Sequence, residues 1–310
     1  MRGSVTPDEI AERTRRAVEA AIGAGRDLGL TVEGGTVLHD VFSVVVHLQP
    51  EPVVARIPVV LTGSTQPERQ TARQQRELDV VAWLDLQDVP VVRPSPLVPR
   101  VPVRRDGFSM TFWELADLAD DHEPYRGVEM SYSVELHRAL AGYPGELPFL
   151  SPLNEGLPDM LADLETVDVL TAAEIERAHA EFDALRRVLG DRDAFGAAFP
   201  HVPVQPLQGD APSHNVIRTK AGIRFSDFED ITCGPVEWDL AMLPPDAVAE
   251  YDTAARRLNL RPTDPDVRRV MDNARRLQIV GCLTLVPQLP VLAGGLAETI
   301  AEWRAAEPFS

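Results

Sequence analysis

The sequence predicts an α+β protein with two lobes: a small one, residues 1–115, built from an antiparallel sheet and helices, and a larger, mainly helical one, residues 116–310. Two observations carry this. Valine-rich segments broken by turn residues fill the first third of the chain, whereas beyond about residue 113 strand signals become scarce and helical periodicity dominates. A chain of 310 residues with 44% hydrophobic and 25% charged residues can bury a sizeable core in such an arrangement.

In chain order, the first helix is marked by Thr6 as N-cap, Pro7 at its first position and Glu9 completing a capping box, with a stop near Gly29. Residues 36–61 read as paired strands turning at Gln49–Pro52. Residues 67–86 form a helix by the apolar positions Leu78, Val81, Ala82 and Leu86, and Val89-Pro90 ends it. The proline-rich run 89–107 reads as a mobile surface connection, and "GFSMTFWELAD" as a strand passing into a polar segment. In the second lobe the clearest helix is 171–190, with a Thr171/Glu174 capping box, a stripe of Ile175, Ala178, Phe182, Leu185 and Leu189, and Gly190 at its end. Further helices are expected near 246–258, 265–286 and 294–306.

Composition narrows the function. The longest apolar candidate, Ile279–Val286, stops at Pro287, far short of the roughly 20 residues of a membrane span, and the opening "MRGSVTPDEIAERTRR" lacks a signal-peptide centre. A cytoplasmic protein is expected. Cys233 and Cys282 have neither metal-ligand nor redox-pair spacing and read as two buried free thiols. A net charge of −18 argues against a nucleic-acid partner and fits a cationic substrate or plain solubility. Of 30 basic residues only Lys220 is a lysine, so a fixed positive charge in the first lobe must be an arginine.

The chemistry concentrates in "LQGDAPSHNVIRTKAGIRFSDFED", residues 207–230. The strand-like "NVIRT" and "IRFSD" flank "TKAG", so a hairpin is expected to bring Asn215 and Asp227 to its open end, with Asp210 in the loop just before. Two hard oxygen ligands suit Mg²⁺, which takes its remaining ligands from phosphate and water. A loop Asp, an Asn five residues on and an Asp beyond a hairpin follow the logic of phosphoryl transfer.

With "GPVEWDLA" trailing behind "SDFED", the segment resembles the aminoglycoside phosphotransferase family of kinase-like small-molecule kinases. The resemblance is specific over 208–241 and extends at the level of layout through "RELDVVAWLDLQDVPVVRPSPL". It implies a two-lobed protein-kinase-like fold and ATP- and Mg²⁺-dependent transfer to a hydroxyl of a small polar molecule such as an aminoglycoside or amino sugar, with GTP as a possible substitute for ATP. Asp210 becomes the general base, Asn215 and Asp227 the metal ligands, and Asp239 a structural carboxylate tethering the loop, unless it only caps a helix. Arg56 becomes the phosphate-binding cation of the third strand, paired with Glu77. Backbone amides near Gly35 and Ser43 cover phosphate, and Glu114 and Leu115 at the hinge hold adenine.

The match departs from the family at Gln208, where a histidine is usual, and in "EGGTVLHDVFS", which has no second glycine cluster. Both features suit the alternative of a degenerate kinase-like protein that binds nucleotide without efficient transfer; the retained Asp210, Asn215 and Asp227 oppose it. His214 reads as a locally satisfied loop residue. Glu229, Asp230 and Glu237 are candidates for holding a cationic acceptor. Neither acceptor nor oligomeric state is encoded in these motifs.

Overall fold

The computed structural model describes residues 4–62 and 66–310. They form two compact units: 4–62 and 66–123 with 217–229 and 285–291, and 124–216 with 230–284 and 292–310.

In the first unit, helix α1 (Pro7–Asp27) begins with the expected capping box, Thr6 accepting from the Glu9 amide and Glu9 accepting from that of Thr6. Its buried stripe is Ala17, Ala20, Ala21 and Ala24, small residues that let the helix lie close to a sheet. That sheet has five antiparallel strands, β1 (Gly34–Asp40), β2 (Ser43–Gln49), β3 (Val53–Pro58), β4 (Val103–Arg105) and β5 (Phe108–Glu114), in the order β1-β2-β3-β5-β4. Strand alternation decides what faces α1: Val44, Val46 and Leu48 from β2, Val53, Ala55 and Ile57 from β3, and Met110 and Phe112 from β5 all join its core. Arg56, between Ala55 and Ile57, is therefore turned to the opposite face, where it is paired in register with Val45 and Thr111.

Helix α2 (Pro67–Leu86) meets the sheet through polar side chains. Gln70, Gln74 and Glu77 are buried along with Leu78, Val81 and Leu84, and the Ser109 hydroxyl donates to Gln74 Oε1 at 2.5 Å. The expected apolar stripe is corrected here: Leu86, the last residue of the helix, is exposed. The proline-rich run is likewise more than a surface connection, since Val91, Ser95 and Val98 are buried and residues 103–105 form β4. Strands β7 (Val216–Thr219) and β8 (Gly222–Phe225) make the expected hairpin.

The second unit is mainly helical: α3 (Met130–Leu140), α4 (Leu157–Ala162), α5 (Ala172–Leu189), α6 (Arg192–Ala198), α7 (Pro245–Arg257), α8 (Pro265–Gly281) and α9 (Leu292–Ala305). The α5 capping box forms as read, and Gly190 ends the helix in a right-handed conformation. A two-stranded sheet of β6 (Gln205–Leu207) and β9 (Thr232–Gly234) pairs Leu207 with Thr232, and so fixes both ends of the segment that the motifs single out. Met130, Val134, Leu240, Tyr251 and Ala255 pack α3 and α7 against the residues after β9. Among the described residues no helix is long and apolar enough to cross a membrane. Cys233 is buried and free as expected, whereas Cys282 is only half-buried.

Gly35 shows how tightly α1 and the sheet are fitted. A Cβ there would lie 2.9 Å from Val46 Cγ1 and 3.2 Å from Val18 Cγ1. Gly35→Ala is therefore expected to destabilise the chain by about 1–3 kcal/mol, the usual cost of overpacking, read as a lower denaturant midpoint with unchanged slope. An unchanged midpoint would show that the helix shifts freely on the sheet.

Candidate active site

Residues 205–215 carry Asp210, and the second unit anchors this loop from behind. Asp239, fully buried, accepts from the backbone amides of Gln208 (3.1 Å, Oδ2) and Gly209 (2.8 Å, Oδ1). His137 Nε2 of α3 lies 3.0 Å from the same Oδ2, and Tyr251 of α7 places its hydroxyl 2.8 Å from His137 Nδ1. Burial first, with Glu237 and Asp239 adding to it, holds the Tyr251 phenol proton on well above its usual range. Asp239 thus ties down the loop through two amides; it closes a short 3₁₀ turn at 236–238 and does not cap a helix start.

The carbonyl of Gly209 is held as firmly as its amide. Trp238 Nε1 donates to it at 2.9 Å, as does Arg275 Nη2 of α8 at 2.9 Å, with the guanidinium lying over the Trp238 ring at 4.2 Å. Glycine is required here: φ is +96°, and a Cβ would come within 2.0 Å of the Asp230 carbonyl. Gln208, where the resemblance led one to expect histidine, has its side chain wholly buried. With everything around it fixed, the Asp210 side chain is 53% exposed. Asn215 donates from Nδ2 to the Asp210 carbonyl and to its Oδ2 (3.3 Å). Because Nδ2 is the end bonded to Asp210, Oδ1, the metal-binding atom of an Asn, is directed elsewhere. His214 has its Nδ1 3.0 Å from the Ser213 hydroxyl, a local contact as expected.

In the first unit Arg56 gathers carboxylates. Its guanidinium lies 3.2 Å from Glu77, 2.7 Å from Asp227 and 2.8 Å from Glu229, and Glu229 is shared with Arg73 at 3.6 Å. Burial opposes the charge of Arg56, but Asp227, Glu229 and Glu77 outweigh it and hold its proton well above the usual range. Burial pushes the Glu77 carboxyl up to about 7, Arg56 opposing and Glu229 and Asp227 reinforcing the shift. For Glu229, Arg56 and Arg73 overcome burial and lower it. Asp227 adopts a left-handed backbone, φ 57°, which Asp tolerates better than most residues.

The remaining expected residues occupy mixed settings. The Ser43 hydroxyl is buried without a hydrogen-bond partner, at the start of β2. Gly35 sits at the α1–sheet contact described above. The amides of Glu114 and Leu115 are engaged by the carbonyls of Arg93 (2.9 Å) and Pro52 (3.0 Å), so neither offers a purine a free N–H in this conformation. Of the three acidic residues suggested for a cationic acceptor, two are otherwise committed: Glu229 to Arg56 and Arg73, and the buried Glu237 to Arg261 (2.7 Å) and the Asp264 amide (2.7 Å). Sequence reasoning missed Glu229 as a partner of Arg56, and His137, Tyr251 and Arg275 altogether; only the "DFE" pattern offered a signal, and only for Glu229.

Solved structures share this architecture. An aminopropanol kinase associated with a microcompartment matches with TM-score 0.60 at 16% identity, over 92% of this chain and 94% of its own. An amicoumacin kinase in complex with AMP-PNP and Ca²⁺ matches with TM-score 0.59 at 14% identity, over 98% of both chains. An aminoglycoside phosphotransferase from Streptomyces rimosus matches with TM-score 0.56 at 18% identity, over 85% of this chain and 98% of its own. The fold is that of the kinase-like phosphotransferases. No family model and no curated protein sequence matches the chain.

The raised carboxyl of Glu77 has a sign that can be checked. A folded value of about 7 against an ordinary 4.5 means that the fold prefers the protonated acid, so the group's contribution to stability is full below pH 4.5 and lost as pH rises through about 7. The stability of the wild type relative to Glu77→Gln is expected to fall across that window in denaturant titrations. A difference that rises with pH would mean that Arg56 dominates over burial.

Proposed function

We propose that the chain is a small-molecule kinase that moves the γ-phosphoryl group of ATP, with GTP as a possible alternative, to a hydroxyl of a small polar acceptor such as an aminoglycoside or amino sugar. The carrying observation is Asp210: a half-exposed carboxylate on a loop whose flanking amides and carbonyl are pinned by Asp239, Trp238 and Arg275. Fixed placement of an acid–base group is what phosphoryl transfer asks of a protein, since positioning and charge neutralisation do most of the work.

The donor set suits Mg²⁺. Asp227 supplies one carboxylate and Asn215 one amide oxygen, few enough for an ion that completes its shell with phosphate and water. Among the described residues no cluster of three or more His, Cys, Asp or Glu is arranged to hold a metal, which a magnesium–nucleotide site does not require. Bound magnesium would neutralise phosphate charge. Arg56, held by Glu77, is the proposed phosphate-binding cation, with Gly35 and Ser43 as proposed phosphate-loop positions and Glu114 and Leu115 as the proposed hinge.

The step this chain's residues perform is a proton transfer coupled to displacement. The acceptor O–H bond breaks and its proton passes to an Asp210 carboxylate oxygen. The freed oxygen forms a bond to the γ-phosphorus, and the bond from that phosphorus to the β–γ bridging oxygen breaks, its electron pair leaving with ADP. The overall charge of −18 favours an amine-bearing acceptor, and the solved relatives act on an aminoglycoside, aminopropanol and amicoumacin.

The test is ADP release across a panel of aminoglycosides, amino sugars and amino alcohols, with Asp210→Asn as control. Turnover on the best acceptor is expected to fall by about 10²–10⁴-fold in the variant while nucleotide affinity stays within a few-fold. Full turnover by Asp210→Asn would remove it from the base role, and nucleotide binding without ADP release on any acceptor would favour a non-transferring binder.

A further inference from the structure

Arg275 has a donor on Nη1 that the fold does not use. Its Nη2 serves the Gly209 carbonyl at 2.9 Å and the Trp238 carbonyl at 3.4 Å, and Nη1 gives one hydrogen to Gln278 Oε1 at 2.9 Å. An arginine Nη carries two hydrogens, so one on Nη1 remains. Nη1 stands 3.8 Å from Asp210 Oδ1, too far for a hydrogen bond between them yet close enough for a single oxygen to lie about 2.8 Å from both. The guanidinium is held in place: its side chain is only 12% exposed, lies over the Trp238 ring and is hydrogen-bonded on both Nη nitrogens.

We propose that Arg275 is a catalytic residue of the transfer, donating from Nη1 to the same acceptor oxygen that gives its proton to Asp210. The pairing fits a hydroxyl, which has one hydrogen to give to a carboxylate and a lone pair to accept from a guanidinium, leaving its second lone pair for phosphorus. As the proton moves to Asp210 and the oxygen takes up the phosphoryl group, the fixed positive charge stays beside the atom on which negative charge develops.

The inference rests on the phosphotransferase reading, and its test needs no known acceptor because water can take the acceptor's place. MgADP affinity is measured by calorimetry. Trapping of MgADP by aluminium fluoride, which mimics the transferring phosphoryl group, is then measured for the wild type, Asp210→Asn, Arg275→Met and Arg275→Lys. Arg275→Met keeps a stem to lie on Trp238 and is expected to keep MgADP affinity within a few-fold while losing trapping by about 10- to 150-fold, the range for a lost charge-assisted hydrogen bond. Arg275→Lys restores part of it. Trapping by Arg275→Met equal to that of the wild type overturns the inference while Asp210→Asn still reports on the reading beneath it. So does a loss in which trapping, MgADP affinity and thermal midpoint fall together and Arg275→Lys restores none, for that marks a structural pin. A wild type that binds MgADP but neither traps it nor hydrolyses ATP refutes the phosphotransferase reading, and this inference with it.

Discussion

The buried carboxylate of Asp239 is the contact on which the candidate site depends. A charge taken out of water is costly unless donors surround it, and here two backbone amides and an imidazole do so. Hydrogen bonds to charged groups are worth about 1.5–3 kcal/mol each, enough to hold a loop that contains a left-handed glycine and, at Ala211, a non-glycine residue with φ 37°. The β6–β9 ladder brings the carboxylate and the loop to one place, and Trp238, the residue before Asp239, reaches the carbonyl of the same glycine. Asp210 is exposed at the end of a backbone that has little freedom left.

The first unit stores charge differently. Three carboxylates, Glu77, Asp227 and Glu229, share Arg56 and the more distant Arg73. The cluster leaves an excess of negative charge around the buried Glu77; burial is the first cause of the upward push on that carboxyl, and Glu229 and Asp227 add to it. A divalent cation at Asp227 would relieve that excess, which is why an arginine holding three acids is consistent with a magnesium–nucleotide site. Arginine suits the position because its planar fork serves several oxygens at once where a lysine offers a single point charge.

What could be read from sequence was local or periodic. Both capping boxes are three-residue patterns, and the alternation Val53, Ala55, Ile57 places Arg56 on the far face of β3 whatever else the chain does. Asp210 and Asn215 stand out in the sequence by a spacing of five residues, whereas Asp239, some 30 positions from the loop amides that it accepts from, is marked only through the resemblance that "GPVEWDLA" carries. The stripe of α2 misled at Leu86 because that helix buries glutamines and a glutamate, residues whose partners, Ser109 and Arg56, come from other strands. His137 lies 102 positions from Asp239 and Arg275 lies 66 from Gly209, separations at which no pattern marks a pair. Glu237 looked available to a cationic acceptor for the same reason, since nothing near it in sequence announces Arg261.

Amide hydrogen exchange at Gln208 and Gly209 tests most directly the claim that Asp239 holds the loop. In the wild type both amides are expected to exchange far more slowly than exposed loop amides such as that of Gly145, and in Asp239→Ala both are expected to lose this protection while the helices of the second unit keep theirs. Rapid exchange at Gln208 and Gly209 in the wild type, or protection that survives the substitution, would contradict it.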